Sequence, residues 1–230
     1  MSRASADGDP ARGGGYTLKR GRHGRYLGVL LAVIVALAVI VAFTSTPGAI
    51  SGIPPGQRLP PFAVPLASSH RAGVANIATH AHDGGAGDVP ACEVRGSDVL
   101  NICALDEHAP VVLALFVNGS SCPRVLSEMQ SLAPSFPGVQ FAAVAIGGGR
   151  APLRALVRSR KLKLPVGIDE EGVLATLYKV VSCPQLTFAY PGGVVQSRAL
   201  LATPSSAQLR ARVNALLAAS QARGWREPSS

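Results

Sequence analysis

Residues 109–132 read "APVVLALFVNGSSCPRVLSEMQSL". The unbroken apolar run Val111–Val117 is typical of a strand that is buried on both faces of a sheet. An Asn-Gly-Ser-Ser turn follows it, and the spacing of the later apolar residues predicts a helix over Cys122–Leu132. A cysteine therefore stands where a strand leads into a helix, either as a redox centre or as a buried thiol among core residues.

The sequence around this stretch alternates between predicted strands and helices. A short strand is predicted at Phe62–Leu66 and a second buried strand at Val139–Ile146. The later elements are a basic amphipathic helix at Arg150–Arg160, an extended segment at 164–169, a short helix at Gly172–Val180, a hairpin around Pro191–Gly193 and a closing helix at Ser206–Ala219. This order predicts an α/β domain in which helices cover a mixed sheet.

The formal net charge of +9 is concentrated at the N-terminus. Residues 1–26 hold six Lys and Arg against two Asp, a net charge of +4, and the other +5 is spread over 204 residues. This diffuse excess, without an aromatic RNA-binding signature, predicts no nucleic-acid partner. The Gly-, Arg- and Ser-rich residues 1–25 are predicted to be a disordered basic cytoplasmic tail.

The apolar run Leu27–Phe43 follows directly on "KRGRHGRY". Its length approaches that of a helix that crosses a bilayer, so we predict a transmembrane signal anchor over residues 26–45. Basic residues precede the run and none closely follows it, which predicts a cytoplasmic N-terminus and a single-pass protein. A cleavable signal peptide is the alternative. In both cases the residues beyond about 45 are expected on the extracytoplasmic side of the cell membrane.

Composition divides the rest of the chain into three parts. Residues 46–90 are rich in Pro, Gly, Ala and His, and are predicted to be a tether. Residues 91–220 are predicted to be the folded domain, and residues 221–230 a polar tail. The chain has four cysteines, and in an exported domain an even number suggests disulfides. Cys92 and Cys103 flank a Gly-Ser-Asp turn signal, so a hairpin closed by a structural disulfide is the simplest interpretation.

The strand order and two short motifs resemble the thioredoxin-like (redoxin) superfamily. The resemblance is greatest to membrane-anchored thiol–disulfide oxidoreductases and to alkyl hydroperoxide reductase/thiol-specific antioxidant proteins. In the anchored oxidoreductases a strand is followed by W-C-P-P-C-x-x-E-M, and here "SCPRVLSEM" has Cys122, Pro123, Glu128 and Met129 at the same spacing. The segment "VSCPQLTF" at 181–188 is similar to the cis-proline segment of the family. The resemblance covers about residues 60–220 and implies a thioredoxin-like fold.

Two positions depart from the motif of the family. Ser121 replaces the aromatic residue, and Val125 replaces the second cysteine, which normally resolves the mixed disulfide. In the family fold the cis-proline loop faces the first cysteine, so the resemblance implies that Cys183, just before Pro184, lies opposite Cys122. The two could form a non-adjacent redox pair, with Cys122 as nucleophile and Cys183 as resolving thiol. A fixed structural bridge and two unconnected thiols are the alternatives.

The predicted position of Cys122 suits a reactive thiol. A thiolate at a helix N-terminus is stabilised by backbone N–H groups and the helix dipole, which lowers the pKa of the thiol. Pro123 suits the first helical turn because it has no N–H to leave without a partner. Arg124 would add positive potential if it points inward. Glu128 could move a proton or could make a structural polar contact.

Two other clusters have alternative interpretations. "THAHD" at 79–83, with His70 nearby, could hold a transition metal, but a solvated loop is the favoured interpretation and no metal is predicted. The basic helix carries Arg150, Arg154, Arg158 and Lys161 at helical spacing, which is typical of a solvated face.

The predicted function is thiol–disulfide exchange, or peroxide reduction, through Cys122 in a membrane-anchored extracytoplasmic domain. Pro184 would shape a groove for an extended chain, the partner would be a protein thiol, a protein disulfide or a redox protein, and no cofactor is predicted. The alternative function is a non-catalytic redoxin-like module that binds a partner protein in the groove near Pro184.

Overall fold

The computed structural model describes residue 26 and residues 28–36, 51–118 and 122–227. The chain separates into two units, Met1–Ala49 and Ile50–Ser230. In the first unit, residues 28–36 form a helix with exposed side chains. Within the described residues, no helix has both the length and the apolar character needed to span a membrane. The predicted tail 1–25 and positions 27 and 37–45 of the predicted anchor lie outside the described residues.

The second unit is built on a mixed four-stranded sheet. Two short strands precede it and pair antiparallel with each other, β1 (Ala63–Pro65) and β2 (Val99–Asn101). The strands of the main sheet are β3 (Val111–Val117), β4 (Gln140–Ile146), β5 (Val166–Asp169) and β6 (Gln185–Ala189). Their order is β5-β4-β3-β6, with β4 parallel to both β3 and β5, and β6 antiparallel to β3.

Five helices accompany these strands in the second unit as described. They are α1 (Ile102–Asp106), α2 (Arg124–Leu132), α3 (Arg150–Ser159), α4 (Val173–Leu177) and α5 (Ser206–Ala222). Side chains fix two of the helix starts. Asp169 at the end of β5 accepts hydrogen bonds from the N–H groups of Gly172 and Leu174, and Ser205 and Gln208 form a capping box at the start of α5.

Helices and loops cover both faces of the sheet. Along β3 successive side chains alternate between the two faces, as the geometry of a strand requires. Val112, Ala114 and Phe116 pack with apolar residues of α2, α3 and α5. Val111, Leu113 and Leu115 pack with α4 and with residues from the N-terminal part of the unit. The predicted mixed sheet with flanking helices is confirmed.

The segment predicted to be a tether, 46–90, contributes to this core over most of its described length. Ile53, Leu59, Phe62 and Val64 are buried, and β1 lies within the segment. The ring of Phe62 packs edge-on against Tyr178, with the ring centroids 5.7 Å apart. The boundary predicted at residue 91 is therefore wrong, because the apolar residues between the prolines and glycines cover one face of the sheet.

The C-terminal part of the unit also differs from the prediction in detail. The segment after the 191–193 turn pairs through isolated bridges, Val195 with Ala189 and Leu200 with Leu186, instead of a continuous strand. Helix α5 continues to Ala222, and the start of the predicted polar tail packs on the domain. There the indole N–H of Trp225 donates to the carbonyl oxygen of His108 at 2.8 Å.

The arginines at the start of the basic helix α3 hold a neighbouring loop. The guanidinium of Arg154 donates to the carbonyl oxygens of Ala67 at 3.1 Å and Ser69 at 2.6 Å. Arg150 donates to the carbonyl oxygen of Arg71 and forms an ion pair with Glu170 at 3.7 Å. The solvated face predicted for these two arginines is wrong, because loop carbonyls that need hydrogen-bond donors lie beside the helix.

Candidate functional site

Cys122 lies between the end of β3 and the start of α2. It is 7% exposed and packs in the core cluster that contains Val125 and Leu126 of α2. Its carbonyl oxygen accepts the N–H of Val125 at 3.2 Å, so the helical turn already begins at the cysteine. Residues 119–121, which directly precede it, are outside the described residues.

Cys183 reaches the same place from another part of the chain. It precedes β6, and the Cys183–Pro184 peptide bond is cis. Leu115 of β3 lies opposite Gln185 of β6, so the residues just before β6 lie beside the C-terminal end of β3. The N–H of Val117 donates to Sγ of Cys183 at 3.1 Å.

Cys122 and Cys183 form a disulfide across 61 residues of sequence. Their Cα atoms lie 5.6 Å apart, within the range of about 4.4–6.8 Å that a disulfide needs. The structure therefore brings together the two cysteines that the resemblance placed opposite each other. It does not have them as unconnected thiols. The disulfide connects the start of α2 to the loop before β6, beside the C-terminal end of β3.

The three residues predicted to support Cys122 have different surroundings. Pro123 is buried and lies immediately before the first residue of α2. Arg124 is exposed at the start of α2. The carboxylate of Glu128 accepts a hydrogen bond from the hydroxyl of Ser206, so this contact links α2 to α5. The observed contact of Glu128 is the structural polar contact that was one of its two predicted roles.

Exposed apolar side chains lie on the segments next to the Cys122–Cys183 disulfide. Val117, whose N–H contacts Cys183, is 44% exposed, and Val181 is 61% exposed. Leu201 is 37% exposed, and its carbonyl oxygen accepts a hydrogen bond from the hydroxyl of Ser182. A cavity of about 460 Å³ opens beside Leu201 and extends to Arg212 of α5. These residues give the disulfide an apolar rim, defined here as Val117, Val181 and Leu201.

The other predicted pair, Cys92 and Cys103, also forms a disulfide, with Cα atoms 5.3 Å apart. The predicted hairpin is wrong, because β2 pairs with β1 and not with the segment of Cys92. The bridge instead connects the short 3-10 helix Ala91–Glu93 to the first turn of α1. The side chain of Asn101 holds the same two segments together. It donates to the carbonyl oxygens of Ala91 and Val94, both at 2.7 Å, and accepts from the N–H groups of Cys103 and Ala104.

The histidine loop is organised by one carboxylate. Asp83 accepts hydrogen bonds from the N–H groups of Thr79 at 2.7 Å and His80 at 2.8 Å, and these bonds lower the pKa of its carboxyl. Within the described residues, no three His, Cys, Asp or Glu side chains are grouped so that they could hold a metal ion. The loop carboxylate is committed to the turn of its own backbone.

Two residues near these sites carried no signal in the sequence analysis. Arg160, just after α3, donates from Nη1 to the carbonyl oxygen of Pro123 at 2.7 Å and lies 3.4 Å from the hydroxyl of Ser127. Asp106, at the end of α1, lies against Gly193, where a Cβ atom would be 2.3 Å from Oδ2 of Asp106. Burial raises the pKa of Asp106 to about 6, opposed by the charge of Arg58 and assisted by that of Glu107. A contact between residues 33 or more positions apart leaves no local pattern that would reveal it.

Comparisons with known proteins identify the fold. No protein-family model matches the chain, and a search of curated proteins finds no match. Among solved structures, the chain is similar to a protein from Chlorobium tepidum assigned as the thiol:disulfide interchange protein DsbE. The identity is 15%, the TM-score 0.55, and the match covers 72% of this chain and 99% of that one. It is also similar to DsbF of Mycobacterium tuberculosis, with 19% identity, a TM-score of 0.51 and coverage of 71% and 99%.

A third similar structure is a protein from Bacteroides thetaiotaomicron assigned as a protein disulfide isomerase. The identity is 11%, the TM-score 0.55, and the match covers 78% of this chain and 100% of that one. At these identities the comparisons establish architecture. The domain has a thioredoxin-like fold, as the resemblance in the sequence predicted.

Proposed function

We propose that this domain carries out thiol–disulfide exchange with protein substrates through Cys122 and Cys183. The observation that carries the proposal is the disulfide between them, which joins the start of α2 to the loop before β6. In a thioredoxin-like fold this is the place where a disulfide meets a substrate chain. A second cysteine in the α2 turn is not needed, because Cys183 supplies the second sulfur from the loop before the neighbouring strand β6.

The proposed reaction begins with the disulfide form. A substrate thiolate attacks Sγ of Cys122, a bond forms between these two sulfurs, and the Cys122–Cys183 bond breaks. The electron pair of that bond leaves with Cys183 as a thiolate. A second substrate thiolate then attacks the substrate sulfur of the mixed disulfide and releases Cys122 as a thiolate. The substrate loses two electrons and gains a disulfide, and the protein becomes a dithiol. The reverse sequence reduces a substrate disulfide.

Backbone groups around both sulfurs support the leaving thiolates. The N–H of Val117 points at Sγ of Cys183, and a hydrogen bond to a thiolate is stronger than one to a neutral sulfur. Cys122 begins the turn that leads into α2, where the positive end of the helix dipole favours a negative sulfur. Both features stabilise the thiolate form of each sulfur more than water would, and so they favour opening of the disulfide.

The apolar rim supports an extended protein segment as the substrate. Val117, Val181 and Leu201 are exposed. The N–H of Val117 contacts Cys183, Val181 precedes Cys183 by two residues, and Leu201 accepts a hydrogen bond from the neighbouring Ser182. Large apolar side chains on a protein surface are typical of a binding site when they cluster around a reactive group. Pro184, next to Cys183, would border the bound segment and present its backbone to it.

We also propose that residues 26–45 anchor the domain in the cell membrane and that the domain lies on the extracytoplasmic side. Support comes from the apolar run 27–43, from the basic residues before it, and from the two disulfides, which persist in oxidising compartments. Protease protection in intact cells tests this location. External protease should remove residues 51–227 without permeabilising the cells.

The exchange proposal is tested by disulfide mapping and by trapping. The full chain is equilibrated in graded glutathione buffers, alkylated and analysed by peptide mass spectrometry. We expect the Cys122–Cys183 bond to open reversibly while the Cys92–Cys103 bond stays closed. In a Cys183→Ser variant Cys122 is a thiol, so its thiolate should attack a disulfide-bonded peptide, release one peptide sulfur as a thiolate and retain the other in a mixed disulfide. A Cys122→Ser variant should trap much less.

Each alternative gives a different result. Stronger trapping by the Cys122→Ser variant would assign the attacking sulfur to Cys183, which is the more exposed of the two residues. A Cys122–Cys183 bond that never opens would contradict exchange and favour the partner-binding module, whose binding should survive Cys122→Ser. If peroxide oxidises Cys122 faster than disulfides exchange with it, peroxide reduction would be favoured as the function.

A further inference from the structure

The guanidinium of Arg160 donates a hydrogen bond to the carbonyl oxygen of Pro123, the residue that directly follows Cys122. We infer that Arg160 is a positioning residue for Cys122, which fixes the first turn of α2 and favours the thiolate form of the cysteine. This inference rests on the proposed exchange function. It names a residue outside α2 and outside the loop of Cys183 as a determinant of how reactive Cys122 is.

Hydrogen bonds attach the segment 160–164 to α2. Nη1 of Arg160 lies 2.7 Å from the carbonyl oxygen of Pro123 and 3.4 Å from Oγ of Ser127. The amide of Gln130 continues the same interface, because its Oε1 accepts from the N–H groups of Lys163 and Leu164 at 2.9 and 3.2 Å. The segment 160–164 is thus attached to α2 at both ends of the contact. Arg160 holds the end that carries the cysteine.

The charge of Arg160 also favours the thiolate form of Cys122. A guanidinium is positively charged throughout the accessible pH range, and this one is bonded to the carbonyl oxygen of the residue after Cys122. A positive charge at a helix start adds to the potential that already favours a thiolate there. The hydrogen bond to the Pro123 carbonyl also removes freedom from the turn, so the sulfur keeps its position when the disulfide opens.

The other charged groups around Cys122 do not replace this contact. On α2, Arg124 is exposed, and Glu128 is engaged by Ser206 of α5. Neither β3 nor residues 181–189, which carry Cys183 and β6, contain a Lys, Arg, Asp, Glu or His. On α3, Arg150 and Arg154 are directed to the loop 67–71 and Arg158 is exposed. Arg160 is itself exposed and lies just after α3, and its contact with α2 distinguishes it from the arginines of that helix.

The test measures the rate of alkylation of Cys122 against pH in the full chain. A Cys183→Ser background leaves Cys122 as a thiol, while Cys92 and Cys103 remain bridged. We compare Arg160→Met, Arg160→Lys and the matched control Arg158→Met, which removes an exposed arginine two residues away. For Arg160→Met we expect the midpoint of the profile to move up by about half a pH unit, so that alkylation at pH 7 slows about threefold.

The remaining variants separate charge from folding. Arg160→Lys keeps the charge and should stay near the parent midpoint, and Arg158→Met should not move it. High salt should shrink the difference between Arg160→Met and the parent. If Arg160→Met does not fold, a parent-like midpoint in Arg160→Gln overturns the inference. Equal shifts for the two methionine variants, or none, overturn it as well.

The outcome also distinguishes this inference from the exchange proposal. Unchanged midpoints in a protein whose Cys122 still traps substrate would overturn the role of Arg160 and leave the exchange proposal standing. If the Cys183→Ser variant with Arg160 intact traps no substrate, the exchange proposal is overturned, whatever the effect of changing Arg160.

Discussion

The two disulfides of this domain have the same covalent chemistry and different surroundings. Cys92–Cys103 closes 11 residues of sequence beside a two-stranded satellite sheet, and Asn101 holds the same segments together independently. Cys122–Cys183 closes 61 residues and joins the main strands to the start of α2. One bridge repeats contacts that other groups already make. The other is placed where its sulfurs meet a helix start, a backbone N–H and an apolar rim.

This comparison shows why a cysteine count alone predicts little about function. Opening Cys92–Cys103 would leave the four hydrogen bonds of Asn101 in place, so the bond adds to local stability and its loss changes little else. Opening Cys122–Cys183 would release two sulfurs that the surrounding backbone favours as thiolates. Four predictions follow this contrast, and each would sharpen or contradict it.

The largest expected effect is on exchange activity. Cys122→Ser removes the proposed nucleophile and should lower the rate of disulfide formation in a dithiol peptide by about a thousandfold or more. The matched control is the double variant Cys92→Ser/Cys103→Ser, which should keep the rate within about twofold of the parent. Equal losses in the two proteins would remove the distinction between the bridges.

The second effect is on stability. In the chain-entropy description, a bridge over 61 residues adds about 4 kcal/mol to the free energy of unfolding and one over 11 residues about 3 kcal/mol. Urea denaturation of the two double-serine variants should therefore show the greater loss for Cys122→Ser/Cys183→Ser. The opposite ranking would mean that the unfolded chain retains structure around one of the bridges.

A smaller loss is expected for Asn101→Ala. The side chain is buried and makes four hydrogen bonds, so its removal leaves buried carbonyl and N–H groups without partners and should cost about 2–3 kcal/mol. The control is Asn76→Ala. The Asn76 amide makes two hydrogen bonds that are less buried than those of Asn101, so its removal should cost about 1 kcal/mol. If both variants lose the same stability, Asn101 is not what holds the Cys92 region.

The smallest effect concerns Asp106, at the far end of the helix that carries Cys103. Its pKa is about 6 in the folded protein and about 3.8 in the unfolded chain, so the folded state binds the proton more tightly. Stability should therefore fall as pH rises from about 4 to 6 and then stay level. Asp106→Asn removes this fall and should gain about 1 kcal/mol at pH 7, after allowance for solvent screening.

Denaturation of the parent and of Asp106→Asn at pH 4 and pH 7 measures this difference. The two proteins should be closer in stability at pH 4 than at pH 7. A parallel pH dependence in the two proteins would assign the fall to another group.

The main sheet could be predicted from the sequence because β3 and β4 are long apolar runs with no charge inside them. The turn to α2 was equally clear, since apolar spacing changes from continuous to helical at Cys122. The contact of Cys122 with Cys183 could not be derived from composition or spacing. It required the resemblance to a known fold, because strand pairing between β3 and β6 decides which loops meet.

The errors have a common physical origin in long-range packing. Residues 51–90 have the composition of a linker, yet Phe62 and Val64 are buried against strands more than 40 residues away. The pairing of β2 with β1 prevented the hairpin expected at Cys92–Cys103. Arg160 ended the predicted basic helix and carried no signal of its own, because its contact with Pro123 depends on how the end of α3 packs beside α2.

The single tryptophan of the chain has a practical consequence for spectroscopy. Trp225 donates to the carbonyl of His108, which lies just before β3, whereas Cys122 follows the other end of that strand. Seven residues of strand separate the two ends by roughly 20 Å, so the sulfurs are too far from the indole to quench it on contact. Intrinsic fluorescence should therefore be nearly silent when the disulfide opens and should change sharply when the C-terminal helix detaches. The protein carries an optical reporter of unfolding that is independent of the oxidation state of Cys122 and Cys183.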